Sequence, residues 1–388
     1  MKNKVLILSL MYPDTANPSF GIFIQREVES LSGYCDIRVI SPRPGWPGNG
    51  MASRKDGAIE IFYPKYLPLP GPLFNPVKGF WFYLFTKKVI RKIKTSFDFD
   101  VIHAHRVYPE GFAAVLLGRM VKKPVVISAR GSDINVLSRS FIVRRLIRYA
   151  IKHAHAIITV SKELAEKITA LGGKNKVQVM PKGVDAGIFF PMDKQKMRKQ
   201  LDLPEDKTIV LYVGNLVAIK NPQSLIDAAL LIPEEERRKY LFVMVGDGDL
   251  KRGITERIKK ENLEDCFKLT GRINPEEIPL WMNTADMLLL PSLNEGMPNV
   301  LYEAMACGLP VIASRVGGIP EIITDEENGL LIDPKDTLRI KECIIRFSQD
   351  KLFAELIALA GKRYINDNRL LWDENSQKIT IVYQTLRN

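Results

Sequence analysis

Long apolar runs and metal-binding cysteine patterns are missing from this chain of 388 residues. No run approaches the roughly 18 apolar residues that a membrane-spanning helix needs. The four cysteines show no CxxC or other metal-ligand spacing, so we expect reduced thiols in a cytosolic protein rather than a disulfide framework. The first residues, MKNKVLILSLMYPD, have a short apolar run and no small-residue cleavage pattern, which predicts a first strand rather than a signal peptide.

A complete dinucleotide fingerprint is also missing. Gly246-Asp247-Gly248 lacks the third glycine and the spacing, which excludes a nicotinamide site. No RNP-like, zinc-binding or basic-helix signature accompanies the net charge of +12. No nucleic-acid partner is therefore expected, and a nucleic-acid-binding protein stays a remote alternative that rests on charge alone.

The charge is unevenly distributed along the chain. Residues 1–188 contain 29 Lys+Arg against 13 Asp+Glu, a balance of +16, whereas the remainder contains 27 against 31, a balance of −4. A basic half is compatible with nucleic acid, an anionic membrane surface, an acidic substrate or a solvated surface, and composition alone does not choose among them.

Apolar strand-like runs alternate with amphipathic stretches in both halves of the chain. The first half contains KVLILSL, DIRVIS, DVIHAH, PVVISARG, AIITVS and VQVMP; the second contains TIVLYVGN, YLFVMVGDG, CFKLTGR, MLLLPS, PVIASRV and GLLID. This alternation predicts βαβ units with parallel sheets. We predict an α/β protein with two doubly wound domains, 1–188 and 189–368, whose ligands bind at the carboxyl ends of strands in a cleft. A last segment, 369–388, is predicted to form a helix that packs back on the first domain.

The segment Leu288–Gly318, LLLPSLNEGMPNVLYEAMACGLPVIASRVGG, has the most informative pattern. It predicts a buried strand, a turn and a short helix whose first turn contains Pro298. Glu295 precedes this helix and Glu303 lies within it. Free N–H groups at a helix start bind a diphosphate, and carboxylates accept hydrogen bonds from hydroxyls, so the pattern predicts a nucleotide-sugar site. The alternative is that Glu295 caps the helix and Glu303 is a solvated charge.

Candidate ligand-binding residues of the first half follow other strands. Gly21 begins a helix after the first strand, where a glycine permits close approach of a phosphate or sugar. His105 ends a strand and is a candidate neutral hydrogen-bonding group. His103 shares its face, but no third metal ligand is nearby, so no metal is expected. Arg130 and Asp133 of the segment RGSD either bind an acceptor or form a turn and helix cap.

Candidate residues of the second half also follow strands. Lys220 lies in the loop after TIVLYVGN, where a charge-assisted bond to a diphosphate is worth roughly 1.5 to 3 kcal/mol. Asn215 stands at the end of that strand. Arg272 and Ile273 end another strand and could border a nucleobase, although a surface role for Arg272 is equally open.

The segment Phe62–Lys94 interrupts the alternation, since it is rich first in proline, then in aromatics and then in cations. One interpretation is a helix with Trp81–Phe85 on its core face and lysines outside. The other is a patch that inserts rings among lipid headgroups and pairs with anionic lipid. Both hold if different residues serve the two purposes, and the second predicts peripheral attachment to the inner face of the cytoplasmic membrane.

Together these segments resemble the retaining GT-B glycosyltransferases of the family-4 group. The resemblance covers nearly the whole chain and includes HAH, RGSD, PKGVD, VGN with Lys220, LTGR, EGMPNVLYEAMACGLPVIAS and VGGIPEII. It implies two Rossmann-like domains that face a cleft, a C-terminal helix that crosses back, and sugar transfer from a UDP- or GDP-sugar without metal or other cofactor. The implied acceptor is a glycan or lipid-linked glycan in cell-surface polysaccharide or lipopolysaccharide biosynthesis. A nucleotide-sugar epimerase on the same fold is the alternative.

The resemblance also implies roles for single residues. Glu303 would bind the ribose hydroxyls and Glu295 the donor sugar, while His105 would face the reacting sugar. Lys220 and a helix N-terminus would stabilise the departing diphosphate. The backbone that would bind the sugar and phosphates belongs to Gly296, Met297, Pro298, Asn299 and Val300. The family usually has an arginine where Asn215 stands, and the loss of that charge is worth about 1 to 2 kcal/mol.

Overall fold

The computed structural model describes residues 2–17, 20–46, 52–68, 71, 74–135 and 137–387. The chain divides into two units. Unit 1 contains Met1–Lys182 and Trp372–Asn388, and unit 2 contains Gly183–Leu371. The sequence-based boundaries, at residues 188 and 369, lie within six residues of this division.

Unit 1 is a sheet with helices packed on it. Its strands are β1 (Asn3–Leu8), β2 (Cys35–Ile40), β3 (Arg43–Pro44), β4 (Ala52–Asp56), β5 (Ile59–Tyr63), β6 (Lys65–Tyr66), β7 (Val101–His105), β8 (Val125–Ala129), β9 (Ala156–Thr159) and β10 (Val177–Val179). Its first helices are α1 (Ile22–Ser32), α2 (Asn75–Ser96), α3 (Phe112–Val121), α4 (Ser132–Asn135), α5 (Phe141–His153) and α6 (Lys162–Ala170). The strand order is β10-β9-β8-β7-β1-β2-β5-β4, with β3 and β6 as a separate pair. The pairing is parallel except between β4 and β5.

Unit 2 repeats the plan with a wholly parallel sheet. Its strands are β11 (Thr208–Val213), β12 (Tyr240–Val245), β13 (Phe267–Gly271), β14 (Met287–Leu290), β15 (Val311–Ser314) and β16 (Leu330–Ile332), in the order β13-β12-β11-β14-β15-β16. Its helices are α7 (Lys194–Gln200), α8 (Gln223–Leu230), α9 (Glu234–Arg237), α10 (Lys251–Lys260), α11 (Ile278–Thr284), α12 (Asn299–Ala306), α13 (Thr337–Gln349) and α14 (Lys351–Asp367). The last helix of the chain, α15 (Trp372–Thr385), belongs to unit 1.

The central strands are apolar because helices cover both faces of each sheet. All residues of β7, β8, β12, β14 and β15 are buried, as expected for parallel strands without a solvated face. In each unit the strand order reverses once, between β1 and β7 and between β11 and β14. Loops that leave neighbouring strands in opposite directions open a crevice at such a point. The fold therefore places the segments after β1, β7, β11 and β14 beside these two crevices.

The helix α15 completes the core of unit 1. Its residues Ile379, Val382 and Tyr383 are buried in one apolar cluster with Ile24 and Val28 of α1. The hydroxyl of Tyr383 lies 2.6 Å from Nδ1 of the fully buried His103. The prediction that the C-terminal helix returns to the first domain is confirmed.

No helix in the described ranges combines the length and the apolar character that crossing a membrane requires.

Replacing Tyr383 with Phe is expected to lower the free energy of unfolding of unit 1 by about 1 to 3 kcal/mol, because a buried ring nitrogen of His103 loses its partner. Calorimetry measures the change. The control is Ile381→Ala on the exposed side of the same helix, where Ile381 is 58% exposed. Equal stability of Tyr383→Phe and the wild type would contradict the proposed role of this hydrogen bond.

Candidate active site

An ion pair joins two loops at the point where the strand order of unit 2 reverses. Lys220 ends the short 3-10 turn after β11, and Glu295 lies in the loop between β14 and α12. Lys220 Nζ is 2.6 Å from Glu295 Oε1, and Ser292 Oγ donates to the same oxygen at 2.7 Å. Glu295 is buried, with 7% of its surface exposed. The sequence-predicted lysine and carboxylate are thus in direct contact.

The loop after β15 packs tightly against the Glu295 loop. Gly317 has a φ of +55°, and a Cβ atom on it would lie 2.0 Å from the carbonyl oxygen of Glu295. The N–H of Gly318 donates to the carbonyl of Gly296 at 2.9 Å. Only glycine fits position 317, so this residue fixes the course of the segment that carries the carboxylate.

The helix α12 begins directly after this segment without a side-chain cap. Pro298 occupies the N-cap position, and no acidic residue stands in the first turn. The N–H groups and positive dipole end of α12 are therefore a suitable partner for an anion. Asn299 and Val300 form this first turn, while Met297 and Pro298 are buried beneath it.

Glu303, the fifth residue of α12, is half-buried. Burial and the negative charge of Glu303 raise the pKa of the Cys307 thiol to about 12. Cys307 is therefore a neutral thiol at physiological pH. Glu303 lies on α12, the helix that follows the segment carrying Glu295.

Tyr212, a buried residue of β11, was not among the sequence-based candidates. Its hydroxyl donates to the carbonyl of Asn215 at 2.8 Å. Burial and the nearby negative charge of Glu295 raise the pKa of Tyr212. Tyr212 thus ties β11 to the loop that follows it, while the side chain of Asn215 is exposed.

Arg272 and Ile273 are not brought to the ion pair. They follow β13, which lies three strands from β14. Arg272 is exposed and its charge contributes, after the hydrogen bond from Lys251 to Asp247, to a lowered pKa of Asp247. That Arg272 and Ile273 border a nucleobase at this edge of the sheet stays a prediction.

A second cluster lies at the carboxyl edge of the sheet of unit 1. His105 is fully buried, and its Nδ1 accepts a hydrogen bond from Arg130. Arg130 also donates to Glu27 Oε2 at 2.6 Å. Burial and the charge of Arg130 hold the pKa of His105 well below its usual range. His105 is therefore neutral with its proton on Nε2, and this nitrogen has no hydrogen-bond partner among the described residues.

His103 has a structural role. Its Nδ1 contacts Tyr383 and its Nε2 lies 2.8 Å from Ser128 Oγ. Its ring stacks on that of His105 with centroids 4.7 Å apart, so it supports the His105 ring. In the part of the chain that the structure describes, no three His, Cys, Asp or Glu side chains form a group that could hold a metal.

The two remaining candidates of unit 1, Asp133 and Gly21, contact backbone atoms of neighbouring loops. Asp133 is buried and accepts from the N–H groups of Val107, Arg130 and Gly131 at 2.6 to 3.2 Å. Gly21 is the N-cap of α1, and a Cβ atom on it would lie 2.5 Å from the backbone of Met11. Both residues shape loops beside the cluster, and a contact with ligand stays a prediction for each.

Three side chains of the two clusters were missed by the sequence analysis. Glu27 lies in the helix after Gly21, Ser292 stands three residues before Glu295, and Tyr212 is within a strand. The signal for Ser292 was its place in the turn that the carboxylate shares. Glu27 is 103 positions from its partner Arg130, and a single sequence carries no local mark of such a contact.

Two families have sequence profiles that match the chain: Glycosyl transferases group 1 over residues 193–363 and Glycosyltransferase Family 4 over residues 33–187. The chain is 29% identical over 370 residues to a putative teichuronic acid biosynthesis glycosyltransferase, TuaC, of Bacillus subtilis, which covers 92% of each chain. It is 28% identical over 294 residues to an N-acetyl-alpha-D-glucosaminyl L-malate synthase of Bacillus anthracis, with 75% of this chain and 76% of the relative covered.

Solved structures share the whole fold. A sucrose-phosphate synthase from Thermosynechococcus elongatus has a TM-score of 0.81 at 19% identity and covers 99% of both chains. The Anabaena protein Alr3699/HepE in complex with UDP has a TM-score of 0.77 at 20% identity and covers 100% of both chains. These likenesses confirm the predicted GT-B architecture of two Rossmann-like domains.

Replacing Gly317 with Ala is expected to lower the free energy of unfolding of unit 2 by about 3 kcal/mol or more. The methyl group adds a clash with the Glu295 carbonyl to the cost of a left-handed backbone, and overpacking alone costs about 1 to 3 kcal/mol. Calorimetry of the purified variant measures the loss.

The matched control is Gly57→Ala, because Gly57 has a φ of +56° and open space around its Cβ position. This variant retains the backbone cost of about 1 to 2 kcal/mol without the clash. Equal losses in both variants would show that the packing of Gly317 on the Glu295 loop contributes nothing.

Proposed function

The chain belongs to the glycosyltransferases of group 1 and family 4, and from this premise we propose a specific reaction for it. The protein transfers a sugar from a nucleotide-sugar donor to a glycan or lipid-linked glycan in cell-surface polysaccharide or lipopolysaccharide biosynthesis. Transfer retains the anomeric configuration and needs no metal. The observation that carries the proposal is the Lys220–Glu295 pair beside the uncapped start of α12.

The donor binds at the carboxyl edge of unit 2. The segment from Gly296 to Val300 binds the diphosphate and sugar, Glu303 the ribose hydroxyls, and Glu295 the hydroxyls of the sugar. UDP-sugars are the first candidates because Alr3699/HepE is described in complex with UDP and with UDP-glucose. GDP-sugars are the second candidates.

Departure of the nucleotide is assisted electrostatically. Lys220 and the positive end of α12 stabilise the negative charge that develops on the leaving diphosphate. The diphosphate takes the proton of the acceptor hydroxyl, so no protein nucleophile is needed for retention. His105 contributes a neutral Nε2–H group that donates to a sugar hydroxyl, which is compatible with its lowered pKa.

The acceptor carries an anionic group. The two relatives described above are named for teichuronic acid and for L-malate, both acids. Residues 1–188 carry the charge balance of +16 noted above. A basic surface raises the local concentration of an acidic acceptor.

Thermal stabilisation by a panel of UDP-, GDP- and ADP-sugars tests the donor, since a ligand that binds only the folded state raises the melting temperature. We expect one UDP-sugar to raise the melting temperature most.

Lys220→Met is expected to lower kcat for transfer by about 100-fold, the usual cost of one donor that stabilises developing charge. Glu295→Gln is expected to lower the stabilisation by the sugar nucleotide more than that by UDP alone.

Lys260→Met, an exposed cation at the end of α10, is the matched control and keeps full activity. Full transfer by Lys220→Met would contradict the assignment of the leaving-group contact. Conversion of the donor to an isomer in the absence of any acceptor would favour the epimerase instead.

Unit 1 also docks on an anionic membrane surface in this proposal. Phe80 and Leu84 are exposed on α2, and Phe141 and Ile142 are exposed at the start of α5. The two helices contact each other, and the exposed cations of α5 are Arg144, Arg145, Arg148 and Lys152. Rings and cations side by side are typical of interfacial helices. Of the segment predicted to bind lipid, residues 69, 70, 72 and 73 lie outside the described ranges.

The double variant Phe141→Asp/Ile142→Asp is expected to lower co-flotation with anionic liposomes by at least about tenfold, because two carboxylates replace the inserted side chains and face anionic lipid. Neutral liposomes are expected to bind the wild type weakly. Leu352→Asp is the control, since Leu352 is equally exposed, at 68%, on unit 2. Failure of the wild type to float with either anionic or neutral liposomes would refute membrane docking.

A further inference from the structure

A pocket of about 300 Å³ lies in unit 1 at the carboxyl edge of its sheet. Its walls come from the loops after β1, β2 and β7, from β6 and from the first half of α2. Functional pockets measure about 300 to 1,000 Å³. The volume therefore suits a single sugar residue rather than a longer oligosaccharide.

One wall of the pocket is aromatic and held in place. Trp81 and Phe85 meet edge to face with centroids 5.3 Å apart, and Tyr66 lies 6.4 Å from Phe85. The indole N–H of Trp81 donates to the carbonyl of Leu67 at 2.7 Å, which fixes the ring. Aromatic faces carry negative partial charge and pack on C–H groups, so this wall fits the apolar face of a pyranose ring.

The pocket lining also contains a cation that is held in place. Arg106 lines the pocket and binds Glu110 Oε1 through Nε at 2.9 Å and through a terminal nitrogen at 2.6 Å. The same oxygen accepts the N–H of Leu10 at 3.1 Å. Glu110 is fully buried, whereas the Arg106 side chain is 20% exposed. The buried carboxylate thus fixes the orientation of the guanidinium, which lines the pocket.

A second cation makes the balance of charge positive. Lys78 also lines the pocket, with Nζ 2.8 Å from Asn75 Oδ1. Both residues stand in the first turn of α2, which contains no acidic residue, so the positive end of this 22-residue helix adds to the field. The charged side chains that line the pocket, Arg106 and Lys78, are both cations. The carboxylates of Glu110 and Asp133, which also act on Arg106, are buried and do not line it. The lining therefore favours an anion beside the sugar-sized space.

We propose that this pocket binds an acidic sugar of the acceptor, with the ring on the Trp81 wall and the carboxylate or phosphate on Arg106 and Lys78. The acceptor role rests on the proposed function, whereas binding of an acidic sugar does not. Neutral sugars bind the aromatic wall alone and therefore bind more weakly.

Isothermal titration calorimetry of the full chain without nucleotide tests the pocket. The probes are methyl β-D-glucuronide, glucose 6-phosphate and methyl β-D-glucoside; the first two distinguish a carboxylate from a phosphate. We expect at least one acidic probe to bind about tenfold more tightly than the glucoside. Lys78→Met is expected to remove this preference, and Trp81→Leu to weaken all three probes, with melting temperatures close to that of the wild type.

The matched control is Lys88→Met, which removes an exposed cation from the same helix at a position outside the pocket. It is expected to bind every probe as the wild type does. In transfer assays, Lys78→Met is expected to raise the acceptor KM by about tenfold without changing the donor KM, and Lys88→Met to change neither.

Equal binding of the acidic and neutral probes would overturn the proposal, and so would equal behaviour of Lys78→Met and Lys88→Met. Tighter binding of farnesyl phosphate than of either acidic sugar would also overturn it, because the occupant would then be a prenyl phosphate. Failure of every nucleotide sugar to stabilise the protein refutes the proposed function alone. Donor binding with no response to the acidic sugars refutes the pocket alone.

Discussion

The ion pair between Lys220 and Glu295 is the interaction on which the candidate site of unit 2 depends. A carboxylate that is 7% exposed must have a cation or several donors, because an unpaired buried charge costs several kcal/mol. Lys220 and Ser292 meet that need from two directions. The backbone bond from Leu293 N to Ile219 O, 2.8 Å long, then fastens the same two loops. Satisfying one buried charge therefore sets the positions of both loops.

Unit 1 contains two more buried carboxylates that are paired with cations at the carboxyl edge of its sheet. Glu27 holds Arg130, which holds the neutral His105; Glu110 holds Arg106. In each case the carboxylate is more buried than the arginine and fixes the orientation of its guanidinium. Because the strand order reverses beside these groups, the segments that carry them leave neighbouring strands in opposite directions. The sheet topology brings the charged groups together, and burial with the charge of Arg130 lowers the pKa of His105.

The sequence predicted the parts of the fold and site that local patterns determine. Apolar runs located the strands, and the turn before Pro298 located Glu295 and Glu303 around the start of α12. Local patterns in the sequence did not predict the contacts between distant segments. Glu27 meets Arg130 across 103 positions, and Asp133 spends its oxygens on backbone N–H groups rather than on solvent. The close approach of the Met11 backbone to Gly21, which leaves no room for a Cβ atom there, likewise had no local mark in the sequence.

Asn215 shows how the ion pair bears on catalysis. A cation is usual at this position in the family, and its absence leaves Lys220 as the charged group on the segment after β11 that reaches Glu295. In the proposed function, sugar hydroxyls donate to Glu295 and Lys220 moves its bond to the diphosphate. Each charged group then exchanges one partner for another, so neither is left unpaired at the cost of a lost hydrogen bond. In that proposal the pair holds a cation next to the leaving group, which would compensate in part for the arginine usual at position 215.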